Sequence, residues 1–254
     1  MNKGTLFLIP NTLGDEAREE QLPYVLPDEV TKQASQLEYW IVENAKTARS
    51  FLKAVNSVYP LIKPIQEMKM VEWSGPSSKI DVNHLLQPLL SGHHLGLLSE
   101  AGLPAVADPG TEIVALAHRL KIPVKPLTGP SSLMLALMAS GMNGQGFMFH
   151  GYLAIKPFDR TQELKALESQ SKKNHATQLW IETPYRNLGM LESCIETLHS
   201  NTQLCIATHL TLADESIVSQ TIGEWRKAWS NQSPQIKYLE KKPAVFLMQA
   251  LLLF

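Results

Sequence analysis

Short apolar runs that stop at turn residues, each followed by a stretch with helical spacing, recur through the first half of this chain, and that alternation limits the folds open to it. Runs this short suit buried strands better than buried helices, and strands separated by helices argue for βαβ units and a parallel sheet. Thr5–Ile9 ends at Pro10, with turn-prone Asn11, Gly14 and Asp15 behind it. Tyr39–Val42, Met68–Trp73 and Leu95–Leu98 are the next expected strands, and Pro123–Pro126 a short extended segment. Helices are expected over Ala45–Val55 and Ile80–Leu90, from near Thr111, and over Ser131–Ser140.

Gly141, Gly144 and Gly146 interrupt this pattern, which places a domain boundary there, between residues 1–143 and 144–254. Beyond it, Phe147–Phe149 and Gln178–Ile181 read as extended, Thr161–Leu167 and Leu188–Leu198 as helical. Leu204–Thr208, Ile217–Ile222 and Ala244–Met248 read as strands with little helix between them. The expected fold class is therefore α/β with two α/β domains, a mostly parallel sheet in the first and a mixed sheet in the second.

The chain's 254 residues are 44% hydrophobic and 19% charged, enough apolar material for a core without disulfides or metals. A net charge of -1 provides no global field for nucleic acid or an anionic membrane, so any RNA contact must come from local patches such as Lys172–Lys173 or Lys241–Lys242. Cys194 and Cys205 stand alone, with no CxxC pair and no clustered histidines, which suits a reducing cytoplasm and gives no metal site. The apolar run Leu6–Pro10 is short of the roughly 7–15 residues of a signal-peptide core. The apolar tail Ala244–Phe254 is short of the roughly 20 residues of a membrane span and reads as a buried strand. No membrane partner is expected.

Gly141, Gly144 and Gly146 do not form a dinucleotide site, because they follow a helix and precede a strand, the reverse of what phosphate binding at a helix N-terminus requires. Ser99-Glu-Ala-Gly-Leu-Pro-Ala-Val-Ala-Asp-Pro-Gly110 follows a buried strand at the carboxyl end, where open α/β sheets bind ligands. Small Ala101 and Gly102 would let a ligand reach the backbone, and Glu100 could accept hydrogen bonds; a tight loop with Thr111 as helix N-cap accounts for the same residues. Thr128-Gly-Pro-Ser-Ser132 opens an apolar helix and offers either caps or polar ligand contacts. No glycine elbow surrounds Ser131 or Ser132, so a serine hydrolase is excluded. Glu43 ends a strand, with Lys46 and Arg49 on one face of the next helix, either as a solvated charged face or as a binding site. Glu182 and Arg186 follow another strand and suit either a structural ion pair or a substrate site. His93–His94 reads as a surface turn.

Together and in this order, these segments resemble the tetrapyrrole methylase superfamily, and within it the branch that methylates a cytidine 2′-hydroxyl of small-subunit ribosomal RNA. Leu8-Ile-Pro-Asn-Thr-Leu-Gly-Asp15 resembles that family's first strand and its Pro/Gly/Asp turn. Leu98-Ser-Glu-Ala-Gly-Leu-Pro with Asp108-Pro-Gly110 resembles its Ser-Asp-Ala-Gly-x-Pro…Asp-Pro-Gly loop, and Gly129-Pro-Ser-Ser its Gly-Pro-Ser-Ala. Phe149-His-Gly-Tyr-Leu-Ala-Ile-Lys156 with Arg160, and Glu182-Thr-Pro-Tyr-Arg186, are similar to Phe-x-Gly-Phe-Leu-Pro-x-Lys with its later Arg and to Glu-Ser-Pro-His-Arg. The resemblance implies S-adenosylmethionine bound between two domains, with Pro10, Ser99, Glu100, Ala101, Gly102, Ser131 and Ser132 as cofactor residues. It also implies a homodimer, and a ribosomal RNA or small-subunit substrate held by Asp15, Lys46, Arg49 and Arg186. Glu43 or Glu182 would orient or deprotonate the acceptor.

The chain departs from that branch at Asn44, where the branch carries Asp, and at Lys46, where it carries Arg. Its last third lacks an Arg-Glu-Leu-Thr-Lys segment; Asp214-Glu215-Ser-Ile with Thr221-Ile-Gly223 is more similar to the porphyrin-precursor methylases. Methylation of RNA is therefore the first reading, methylation of a tetrapyrrole precursor the second, and S-adenosylmethionine binding without catalysis the third.

Overall fold

Four-residue strands β1 (Leu6–Ile9), β2 (Tyr39–Val42), β3 (Lys69–Glu72) and β4 (Leu95–Leu98), with the shorter β5 (Val124–Pro126), build the first sheet of the computed structural model, which describes residues 2–14 and 18–250. All pairings are parallel, in the order β3-β2-β4-β1-β5. The connections carry α1 (Arg18–Val25), α2 (Asp28–Ser35), α3 (Ala45–Val58), the short α4 (Val82–Leu85) and α5 (Gln87–Leu90), and α6 (Thr111–Arg119).

Alternation along each strand sorts side chains to two faces. Phe7, Ile9, Trp40 and Val42 pack with Leu22, Val30, Ala34, Phe51, Leu52 and Val55 of α1, α2 and α3. Leu6, Ile41, Leu95 and Leu97 pack on the opposite face with Leu85, Leu89, Ile113 and Leu116. Burying each large side chain contributes about 1.5–3 kcal/mol, so both faces are strongly specified. Gly96 lets β4 lie against Trp40, since a Cβ there would fall 2.7 Å from the Trp40 ring.

The second unit has the mixed sheet β6 (Phe147–Tyr152), β7 (Thr177–Glu182), β10 (Ala244–Gln249), β8 (Gln203–Thr208) and β9 (Ser216–Thr221), in that spatial order. β6 and β7 are parallel and the other pairs antiparallel. Its helices are α7 (Ser132–Ser140), α8 (Pro157–Asn174), α9 (Asn187–Thr197), α10 (Ile222–Ser230) and the short α11 (Pro234–Lys237). Trp180 and Phe246 stack in its core at 5.6 Å, beside Leu164, Met190, Ile206 and Trp225.

The chain divides into units Met1–Ser131 and Ser132–Phe254, earlier than the glycine-rich stretch at 141–146. Helix α7 explains the difference: it packs on β8, β9 and β10, and Ser140 O accepts from Ser219 Oγ at 2.7 Å. The helix lies on the second sheet rather than closing the first unit.

Other differences have local causes. The helix expected over Ile80–Leu90 is broken into α4 and α5 at Leu86, because Pro88 has no N–H to give the preceding turn. Gly110, with φ 140°, occupies the cap of α6, and Thr111 is the first helical residue. A helix, α10, fills much of the C-terminal interval expected to hold little helix; Thr221 caps it, and Thr221 and Glu224 bond each other's backbone amides.

Candidate functional site

Chain direction on the first sheet creates the site. β1 and β4 are neighbours, but the chain leaves β1 for the α1–α3 layer and leaves β4 for α6 on the other face. Their carboxyl ends therefore flank a crevice, the place where doubly wound sheets bind ligands.

Asn11 joins the two sides. Its fully buried Nδ2 donates to Ser99 O at 3.1 Å and Glu100 O at 2.9 Å, while its N donates to Gly102 O at 2.8 Å. Pro10 meets Gly129 so closely that a Cβ on Gly129 would lie 2.1 Å from Pro10 Cβ. Gly102 has φ +66°, and a Cβ there would sit 3.4 Å from Pro130 O. The turns after β1, β4 and β5 thus converge, bringing together the expected cofactor residues Pro10, Ser99, Glu100, Ala101 and Gly102 beside Gly129–Pro130. Ser131 closes the first unit; Ser132 is the first residue of α7 in the second, and both are half-buried.

Glu43, half-buried at the end of β2, accepts from Glu100 N through Oε2 at 3.1 Å. Glu100 Oε1 accepts from Thr47 Oγ1 at 3.2 Å. Asn44 caps α3, its Oδ1 accepting from Lys46 N and Thr47 N, the work an Asp would do at that position. Lys46 and Arg49 are exposed on α3, and Asp15 lies outside the described residues.

Several residues with a stake in this crevice were not singled out as site residues by sequence. Asn11 is one. Buried Arg18 donates through Nε to Thr12 Oγ1 and through NH1 to Thr47 O, tying the β1 turn to α3. Asp108 is another: burial, then the charge of Glu43, push its carboxyl up to about 6, with a Ser99 hydrogen bond opposing and Glu100 adding a little. Two non-glycine residues of its loop, Ala105 (φ 64°) and Ala107 (φ 61°), are left-handed, strain of the kind concentrated at ligand sites. The Asp-Pro-Gly turn was visible in the sequence; the approach of Glu43 to it was not.

In the second unit, Glu182 and Arg186 come together. Glu182 Oε1 accepts from Thr183 N at 2.7 Å, and Oε2 lies 2.9 Å from Arg186 NH2 without a hydrogen-bond angle. The Glu182 side chain is fully buried, and Arg186 also donates to Leu153 O and Ala154 O. Nearby, His209 Nδ1 and Lys242 Nζ each reach Asp214 at 2.8 Å, holding that carboxyl down at about 2, chiefly through the Lys242 and His209 hydrogen bonds. Cys194 and Cys205 are buried free thiols, and burial pushes Cys205 up to about 12. Among the described residues no group of three or more His, Cys, Asp or Glu is arranged to hold a metal, and no helix is long and apolar enough to cross a membrane.

Solved structures share this architecture. A cobalt-precorrin-4 methyltransferase of cobalamin biosynthesis matches with a TM-score of 0.56 at 14% identity, over 96% of this chain and 94% of that one. The uroporphyrin-III C-methyltransferase of Thermus thermophilus matches with a TM-score of 0.54 at 15% identity, over 98% and 93%. The chain has the tetrapyrrole-methylase fold. No family model matches it. In sequence, this tetrapyrrole-methylase-like chain is 32% identical over 151 residues to ribosomal RNA small subunit methyltransferase I of Escherichia coli, covering 58% of the chain and 51% of that protein. The protein of the same name from Bacillus subtilis is 31% identical over 166 residues, 65% of the chain and 55% of that protein. In Micromonospora olivasterospora the match is 28% over 224 residues, 87% of the chain and 64% of that protein. The chain spans about half the length of the first two relatives.

Proposed function

We propose that this chain is an S-adenosylmethionine-dependent methyltransferase acting on a ribose 2′-hydroxyl of small-subunit ribosomal RNA, in the cytoplasm and as a homodimer. The observation that carries the reading is the acid-lined crevice. Glu43, Glu100 and Asp108 gather beside the Ser99–Gly102 turn, of which Glu100 and Ala101 are exposed, an environment suited to a cofactor whose sulfonium and ammonium are both positive. The residues present therefore fit the cofactor: the Ser99–Gly102 and Gly129–Ser132 turns would present polar backbone and hydroxyls to it, and Glu100 would receive its donors.

The cofactor supplies an electrophilic methyl carbon, and this chain's residues supply alignment. Holding two reactants in line is worth up to about 7–11 kcal/mol, and a base at the acceptor hydroxyl about 10²–10⁴-fold. Half-buried Glu43 keeps a solvent-facing side with which to take the acceptor proton; Glu182, buried against Arg186, fits a positioning role. Lys46 and Arg49, exposed on α3, would take phosphates of the substrate. The departure at Asn44 preserves the helix cap, so it leaves this helix start intact.

RNA is preferred over a tetrapyrrole because the relatives near 30% identity carry ribosomal RNA names, whereas the tetrapyrrole enzymes share only the fold at 14–15%. Radiolabelled methyl transfer is measured with small ribosomal subunits and uroporphyrinogen offered side by side. Label in the RNA supports the reading, label in the porphyrin alone replaces it with the tetrapyrrole one, and label in neither leaves a binding protein.

A further inference from the structure

Two connections at one end of the second sheet, the one after β6 with the first turn of α8 and the one after β7, carry large apolar side chains that this fold does not bury. Tyr185 is 85% exposed, Phe158 74% and Ile155 73%. The loops are neighbours because β6 and β7 are parallel, so both leave the same end of the sheet, with Tyr152 paired to Ile181.

The support beneath them is rigid. Arg186 NH2 donates to Leu153 O at 3.2 Å and Ala154 O at 3.4 Å. Buried Arg160 donates through NH1 to Ile155 O at 3.3 Å, while its Nε holds Ser193 Oγ at 2.9 Å and its NH2 holds Gly189 O. Ala154 N is bound by Glu163 Oε2 at 2.7 Å. Three successive carbonyls, at residues 153 to 155, are thus fixed by two arginines, so the chain displays its apolar groups from a fixed base.

The surrounding charge is mixed, with exposed lysines at both segments. Lys156 stands between Ile155 and Phe158, and exposed Lys241 is joined to the other loop through its N to Pro184 O at 3.1 Å. Asp159 is exposed beside Phe158 and Glu240 beside Lys241, whereas Glu163 accepts from Ala154 N and Glu182 is buried.

Exposed rings on a rigid base with lysines alongside are the arrangement on which unpaired bases stack while cations follow the phosphates. We infer that Tyr185 and Phe158, flanked by Ile155, form a ledge for unpaired bases of single-stranded RNA, with Lys156 and Lys241 on adjacent phosphates. The inference rests on the RNA reading above and adds to it a surface of the second unit that holds single-stranded RNA.

Binding is measured by fluorescence anisotropy of the full chain with a labelled, unstructured RNA of about 12 nucleotides, a length within the usual site size of such surfaces. Tyr185→Ala and Phe158→Ala should each weaken binding about fivefold or more, and Tyr185→Trp should restore it. Stacking is uncharged, so the ring variants should keep the wild-type salt slope, whereas Lys156→Gln should make it shallower by about 0.7. An unaltered melting temperature with S-adenosylhomocysteine checks that each variant folds. Wild-type affinity in both ring variants, with methylation of small subunits intact, overturns the ledge alone. So does conversion to monomers by light scattering with RNA affinity unchanged, which would make the ledge a contact between copies. No RNA binding by the wild-type chain, with methylation of uroporphyrinogen, overturns the RNA reading itself.

Discussion

Asp108 shows how a single side chain acquires its character from distant parts of the chain. Its carboxyl keeps its proton to about pH 6, against 3.8 for an ordinary Asp, because burial and the charge of Glu43 both disfavour the anion. Between these values the folded chain holds more protons than the unfolded one, so this group's stabilisation is complete below about pH 3.8 and is lost as pH rises to about 6. With the carboxyl partly solvated, the effect should be on the order of 1–2 kcal/mol. Asp108→Asn should therefore gain stability relative to wild type as pH rises from 4 to 7. Urea denaturation at both ends of that range measures the gain, and a constant difference between the proteins would exclude a titrating Asp108. Sequence placed Asp108 in a turn between a strand and a helix. It gave no sign of the long-range contact at Glu43, since a residue's neighbours along the chain do not report which carboxylate arrives from another strand end.

At the scale of elements, strands bounded by turn residues were the most legible: β2 and β4 occupy the expected spans, and the parallel and mixed sheets are both present. Helices with interrupting residues were less so. α1 contains Pro23 and α2 begins after Pro27, so residues that usually end helices concealed both. α10 starts at Thr221-Ile-Gly-Glu224, a capping-box spacing that the strand expected over Ile217–Ile222 overran. That cap can be tested directly. Thr221 Oγ1 accepts from Glu224 N at 3.2 Å, and Glu224 Oε2 accepts from Thr221 N at 2.8 Å. Thr221→Ala removes the first bond and should cost about 1 kcal/mol, read as a lower urea midpoint with an unchanged slope. A change in slope would mean that the substitution also alters how much surface unfolding exposes.

For the whole chain, two units with separate cores and a net charge of -1 make specific ligand contacts, rather than a general field, the source of function. The converging turns after β1, β4 and β5 lie in the first unit, so a ligand held there should stabilise that unit by mass action. S-adenosylhomocysteine, the demethylated product, tests this without turnover. At one hundred times its Kd it should add about 2.7 kcal/mol to the unit that binds it. For a domain of about 60–130 residues that corresponds to a rise of very roughly 10–20 °C in Tm. Because the units have separate cores, calorimetry should read whether they melt as one transition or two, and which moves. Glu100→Ala removes an acceptor beside the Ser99–Gly102 turn while leaving Asn11 to hold the turn's carbonyls, so it should shrink the rise without lowering the Tm of the free protein by a similar amount. If millimolar S-adenosylhomocysteine produces neither heat nor a thermal shift, the crevice does not bind this cofactor, however closely the fold follows the methyltransferases. If the rise persists undiminished in the variant, the acid that receives the ligand is not Glu100, and Glu43 and Asp108 become the groups to substitute next.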